Sequence, residues 1–214
     1  MQMSLFSSLI SDPRSCSAII TDNHDPEKWR YAISLDTETS GSCAESRVIQ
    51  LAAIRFRYRL LVNMSVPEVE FSERFRLVTF VRPPLGTVFN PYATRVHGIT
   101  PEQLRHAPDY KAVHEQFLEV VGDLDIIAHN ATFDRRMVER EHHLSGLQIL
   151  PASRWVCSLA LSKERHPQES CKLGEITRRL GILPSGALHD AGVDAELAAR
   201  LYAHLIMAPV SARS

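Results

Sequence analysis

Residues 31–41 read Tyr-Ala-Ile-Ser-Leu-Asp-Thr-Glu-Thr-Ser-Gly. The apolar-leaning run from Tyr31 to Leu35 predicts a short strand that stops at Asp36, and the Thr/Ser/Gly stretch after it reads as a loop. Residues i and i+2 of a strand point to the same face, so Asp36 and Glu38 converge at the strand's end. Two like charges that close raise each other's pKa unless a cation lies between them, and hard divalent ions such as Mg²⁺ and Mn²⁺ favour such an oxygen environment. A carboxylate pair alone is common on solvated surfaces, so its meaning depends on what accompanies it.

Working outward, Val48 to Leu61 is a long strand-like run in which Arg55, Arg57 and Arg59 alternate with Phe56, Tyr58 and Leu60. Phe75 to Val81 alternates similarly and ends at Pro83-Pro84, with Asn63 to Ser72 as a longish hairpin connection. Three extended runs with few helix signals between them predict an antiparallel meander, since parallel pairing needs a crossover. Thr100-Pro101-Glu102 then reads as an N-cap followed by proline at the first helical position, with short helices after it. Tyr110, Val113, Phe117, Val120 and Val121 recur at helical spacing, and Asp125 to Ala128 supplies a buried strand. Thr132 to His142 predicts a helix, Arg154 to Val156 a short strand, Leu159 to Glu164 a helix, and Leu173, Ile176 and Leu180 a helical stripe ended by Gly181. Asp190 to Met207 is a last long helix. Strands first, then helices alternating with strands, indicate an α/β domain with a mixed sheet.

Two further acidic elements join the first. Asp134 ends the stretch Ile126-Ile127-Ala128-His129-Asn130-Ala131-Thr132-Phe133, a buried strand running into a turn that opens a helix. That is the carboxyl end of a strand, where α/β sheets place their sites. His189-Asp190-Ala191-Gly192-Val193-Asp194-Ala195 opens the last helix, so His189 in the entry loop and Asp194 one turn in can reach one locus. Taken singly, Asp134 and Asp190 also suit helix N-termini as dipole partners.

Together, in this order, DTETSG, IIAHNATFD and HDAGVDA resemble the three motifs of the DEDDh family of 3′-to-5′ exonucleases, which includes the proofreading epsilon subunit of bacterial DNA polymerase III and RNase T. The resemblance covers roughly Tyr31 to Met207. Val96-His97-Gly98-Ile99-Thr100, Cys157-Ser158-Leu159-Ala160-Leu161, and Lys172-Leu173-Gly174 with Leu180-Gly181-Ile182 are similar to further family segments. The histidine at His189 favours the histidine branch over the tyrosine branch. Ser40 stands where many relatives carry a second threonine.

The resemblance implies a ribonuclease H-like fold, a mixed five-stranded sheet with its first three strands antiparallel, flanked by helices. It makes Asp36, Glu38, Asp134 and Asp194 the ligands of two divalent metal ions, Mg²⁺ or Mn²⁺, and His189 the general base. It implies Thr37, Thr39, His97, Asn130 and Phe133 as substrate contacts, with Phe133 equally suited to core packing. The implied reaction is hydrolysis at the 3′ end of DNA or RNA, releasing 5′-mononucleotides. Two metal ions about 3.5–4 Å apart neutralise the phosphodiester and activate water, and imidazole exchanges a proton near neutral pH. An RNA-processing or oligoribonucleotide exonuclease, and a catalytically silent nucleic-acid or clamp-binding module, are the competing readings. Arg135, Arg136 and Arg140, and the Arg55, Arg57, Arg59 row, are candidates for backbone phosphates, although a row on a strand also suits a charge-protected sheet face.

The rest of the chain sets bounds. Its 214 residues suit one domain, 44% are hydrophobic and 23% charged, which excludes wholesale disorder. The 24 basic and 25 acidic side chains nearly cancel, so any polyanion must be met by local patches or metal ions. Four scattered cysteines, Cys16, Cys43, Cys157 and Cys171, show no zinc spacing and suit reduced thiols. With neither a secretory signal nor an apolar run long enough to span a bilayer, a cytoplasmic location is expected. Residues 1–30 read as a tail or entry segment, 31–207 as the exonuclease domain and 208–214 as a C-terminal tail. Within the first tail, Gln2-Met3-Ser4-Leu5-Phe6 resembles the bacterial sliding-clamp-binding pentapeptide, which implies a clamp as partner.

Overall fold

The computed structural model describes residues 28–60, 66–147 and 155–207. The Gln2 to Phe6 peptide and the C-terminal tail lie outside them.

Strand β1 (Arg30–Thr39) runs three residues past its expected stop at Asp36. Asp36 and Glu38 therefore lie within the strand, paired opposite Ala52 and Gln50 of β2 (Val48–Arg59). The antiparallel meander forms as expected, with β3 (Glu68–Phe80) completing it. The expected connection at Asn63 to Ser72 is corrected in part, because β3 already begins at Glu68. What the sequence marks at Ser72 is a bulge. Ile54 pairs with Arg76 and Phe56 with Phe71, so Ser72 to Phe75 are extra on β3, and the Ser72 hydroxyl accepts the Phe75 N–H.

After the prolines, helix α1 (Pro91–His97) forms where the sequence reading placed none. Asn90 caps it through its side chain, Pro91 sits at the first position and Gly98 ends it with φ 72°. The capping pair expected at Thr100 does form, since Gln103 Oε1 accepts from the Thr100 N–H and hydroxyl. It starts no helix: residues 100–107 make only i to i+3 bonds, and Pro108 follows, which bars continuation.

Helix α2 (Tyr110–Val121), strand β4 (Ile126–Ala128), helix α3 (Ala131–Leu144), strand β5 (Trp155–Cys157) and helices α4 (Ser158–Arg165), α5 (Leu173–Arg179) and α6 (Ala191–Met207) fall within a few residues of their expected bounds. The sheet order is β3-β2-β1-β4-β5, with β4 parallel to β1 and β5 parallel to β4.

Alternation along β1 divides the core. Ile33 and Leu35 join the side packed by α2 and α3, with Phe117, Met137 and Val138, while Ala32 joins the side packed by α4, α5 and α6. Fully burying one such aliphatic side chain contributes about 1.5–3 kcal/mol. Helix α6 lies close on the sheet because Ala191, Ala195, Ala198 and Ala199 are small and buried. The Ser34 hydroxyl bonds the Ala195 carbonyl, fixing its register against β1. A Cβ at Gly192 would sit 3.0 Å from Val78 Cγ1.

The arginine row on β2 takes the protective role. Arg55 donates to the Glu119 and Val120 carbonyls at the end of α2 and lies over Phe75. Arg57 and Arg59 pair with Glu70 and Glu68 and both flank the Trp29 ring.

Candidate active site

The end of β1 is where the two faces of the sheet can meet. Asp36 and Glu38 share the face of Ser34, toward α6, whose first turn carries Asp194. Thr37 is on the opposite face, toward α3, whose first turn carries Asp134. Thr37 is buried, and its N–H and hydroxyl both donate to Asp134 Oδ1, at 3.1 and 2.8 Å. The Thr37 hydroxyl, which the resemblance implied as a substrate contact, donates to Asp134.

Burial raises all four carboxylates, and the charges of the other acids add to the rise at Asp36 and Glu38. Asp36 is held well above the usual carboxylate range, first by burial and then by the charges of Asp134, Glu38, Asp194 and Asp190. Burial, then Asp194, Asp134 and Asp190, push Glu38 up to about 8. Burial raises Asp134 to about 7 even though the two Thr37 bonds pull it down. Burial raises Asp194 as well, opposed by the His189 N–H and charge. A cluster of acids kept from ionising has the donor set of a hard-cation site. Glu38, His189 and Asp194 each bring one ligand atom within 4.8 Å of the others, and Asp194 Oδ1 is buried with no hydrogen-bond partner among the described residues. The residues present fit divalent metal.

His189 stands at the mouth, 53% exposed, its Nδ1 4.0 Å from Asp194 Oδ2. Its N–H donates to the same oxygen at 3.2 Å, and its φ of 64° is left-handed. Asp190, next along, caps α6 by accepting from the Gly192 and Val193 N–H groups. Gln50 then locks that cap, donating to Asp190 Oδ2 and accepting from the Ala191 N–H. Sequence reasoning missed Gln50. Its signal was a lone amide inside the apolar run Val48-Ile49-Gln50-Leu51-Ala52, because a buried polar group needs partners.

The remaining expected contacts ring the cluster. Thr39 is buried and donates to the Gly41 carbonyl. His97 accepts the Ile99 N–H on Nδ1; burial lowers its pKa, the Thr39 backbone opposes that, and the His189 charge lowers it further. Asn130 has φ 104° and makes no side-chain cap bond to α3. Phe133 is half-buried against the α2 and α3 core, with Arg136 over its ring. His129 donates from Nε2 to the Cys171 carbonyl, which leaves Nδ1 to accept from the Ser158 hydroxyl. This pins the turn between β4 and α3.

A ribonuclease H-like sheet with acids from three motifs at one strand end defines a DEDDh-type 3′-to-5′ exonuclease. Consistently, the chain belongs to the Exonuclease (RNase_T) family, which matches residues 33–202. It is similar to the DNA polymerase III epsilon subunit of Rickettsia felis, 28% identical over 81% of this chain and 72% of that protein. The Haemophilus influenzae epsilon subunit is 32% identical over 79% of this chain and 65% of its own length. Among solved structures, the nuclease domain of 3′hExo, a DEDDh family member bound to rAMP, shares the fold at a TM-score of 0.63 and 16% identity, over 88% of this chain and 98% of that one. Exonuclease X with 5′ overhanging duplex DNA does so at 0.60 and 21%, over 82% and 90%. The family uses divalent metal ions. No described helix is long and apolar enough to cross a membrane.

Proposed function

We propose that the protein removes 5′-mononucleotides from the 3′ end of DNA, with Asp36, Glu38, Asp134 and Asp194 holding two Mg²⁺ or Mn²⁺ ions. The observation that carries this reading is the meeting of four carboxylates, of which Asp36 and Glu38 are raised by the charges of the others, with one exposed imidazole. When bound, the metal ions neutralise the phosphodiester and lower the pKa of attacking water. His189 accepts the proton of that water as its oxygen bonds phosphorus, and the bond to the departing 3′-oxygen breaks. Thr37 orients Asp134 through its two donors. Thr39 and His97 line one flank for the terminal nucleotide, and Asn130 and Phe133 the other. The epsilon relatives favour DNA over RNA as the polymer.

The test is incubation with 5′-labelled single-stranded DNA and RNA of one sequence, with Mg²⁺, Mn²⁺ or EDTA. A metal-dependent ladder shortening from the 3′ end of DNA is expected, and Asp36→Ala should abolish it. Faster shortening of RNA would move the substrate to the RNA-processing reading, and intact substrates under every metal would leave a binding module.

The pentapeptide Gln2 to Phe6 supports a tether to a sliding clamp, which would raise local concentration at DNA ends. Deleting residues 1–8 should weaken clamp binding and spare cleavage of free oligonucleotides. Equal clamp affinity of both proteins removes the tether.

A further inference from the structure

A cleft of about 700 Å³ adjoins the carboxylates, lined by Asn130, His189 and Asp194 at the catalytic end and by residues of α4 and α5 beyond. Those helices bring Lys163, Lys172 and Arg178 to its walls, against one acid outside the catalytic group, Glu175. All three cations are exposed. Lys172 approaches Glu175 at 3.5 Å, whereas Lys163 and Arg178 form no ion pair among the described residues. Several other cations near the sheet are neutralised: Arg47 by Glu141, Arg57 by Glu70, Arg59 by Glu68 and Arg76 by Glu196. In a chain of net charge -1, an excess of unpaired positive charge beside an acidic centre is a local patch of the kind a polyanion requires. Leu159, Leu173 and Leu188 line the same cleft and offer apolar surface to sugars and bases.

On the other flank a larger cleft carries Arg47, Arg82, Arg105 and Lys111, but Glu102, Asp109 and Glu141 line it with them. Thr39 and Ser40 are buried there, with the Asn90 N–H bonded to the Ser40 carbonyl. A 3′ exonuclease holds one nucleotide beyond the scissile phosphate and the whole polymer before it. The polymer needs a positive surface that runs into the carboxylates, and the α4–α5 cleft is lined by Asn130, His189 and Asp194 themselves.

We infer that this cleft carries the strand on the 5′ side of the scissile bond, with Lys163, Lys172 and Arg178 contacting its phosphates. The inference rests on the nuclease reading above. It makes the cleft a determinant of substrate length: a long strand gains these contacts and a single nucleotide ester does not.

The test compares the wild type with the triple variant Lys163→Gln, Lys172→Gln, Arg178→Gln. The substrates are a 20-nucleotide single-stranded DNA and the 4-nitrophenyl ester of thymidine 5′-monophosphate, a phosphodiester with no upstream strand. The ratio of kcat/KM for oligonucleotide over ester should fall on the order of 10-fold, mainly through KM. The slope of log KM against log salt should drop by about 2, since each phosphate neutralised on a single strand contributes about 0.7. A ratio and slope equal to the wild type overturn the inference, as does an equal fall on both substrates. The same ratio change in the control Arg82→Gln, Lys111→Gln, on a separate cleft of the molecule, also overturns it. Failure of the nuclease reading is distinct, because the wild type would then hydrolyse neither substrate. Matching melting temperatures identify a folded variant.

Discussion

Asn130 at φ 104° and His189 at φ 64° are the non-glycine residues with positive φ among those described, and both border the carboxylates. Such a conformation costs about 1–3 kcal/mol and persists only where surroundings impose it. At His189 the imposing contact is its N–H bond to Asp194 Oδ2. Replacing His189 with glycine therefore separates backbone from side chain. His189→Gly should be at least as stable as His189→Ala, since glycine tolerates positive φ, while both lose on the order of 10²–10⁴-fold in kcat, the usual worth of a general base. Melting curves beside single-turnover rates check this; an unchanged rate reassigns the base. Thr37 makes the same separation for a ligand. Thr37→Val removes the hydroxyl bond to Asp134, a charge-assisted bond of about 1.5–3 kcal/mol, so half-maximal activity should need more Mn²⁺, and Thr37→Ser should restore the wild-type requirement.

Between elements, the loop carrying His189 rests on α5. A Cβ at Gly174 would lie 2.8 Å from Leu188 Cδ1, the end of a flexible and partly exposed side chain. Gly174→Ala should keep or raise the melting temperature, because alanine favours a helix by up to about 1 kcal/mol over glycine. It should also lower kcat, because Leu188 must swing away and no longer fixes the residue after it. Equal kcat would show that the packing does not position His189. On the other face, α2 meets α3 through histidines. His142 is fully buried, its ring 4.8 Å from His114 and 5.6 Å from Tyr110, and burial, then the His114 charge, lower its pKa to about 4. The unfolded chain takes up this proton near the ordinary value of about 6.5. Stability from the neutral His142 is thus complete above that pH and declines as pH falls toward 4. His142→Phe should flatten this acid limb in urea titrations between pH 6.5 and 4.

For the whole molecule, what could be read from sequence was what has a local signature. The meander, the β4 turn and the α6 cap announce themselves through alternation, a polar turn after a buried strand, and an acid at a helix start. What could not be read depends on distant partners. Helix α1 is seven residues long with none of them buried, so it lacks the apolar stripe that marks α2. Nothing near Arg55 tells that it caps a helix 64 residues away. The site residues lay in recognisable motifs, yet the assignment of Thr37 to Asp134 and of Gln50 to Asp190 needed the two faces of β1 and its pairing with β2. That same convergence has a thermodynamic consequence. In the metal-free protein Glu38 keeps its proton up to about 8 and Asp134 to about 7, whereas the unfolded chain releases carboxyl protons near 4. Between those limits the folded state binds more protons than the unfolded one, so the cluster's contribution to stability falls as pH rises, by about 1.4 kcal/mol per pH unit for each retained proton. Divalent metal competes with those protons and reverses the penalty. The melting-temperature difference between Mn²⁺ and EDTA samples should therefore widen steadily from pH 4 to pH 8, independently of the His142 limb, which both samples share. In the Asp36→Asn, Glu38→Gln double variant that difference should collapse at every pH. A wild-type difference that stays constant across the range would mean that the metal does not displace protons from these carboxyls, and would separate the metal site from the acid cluster.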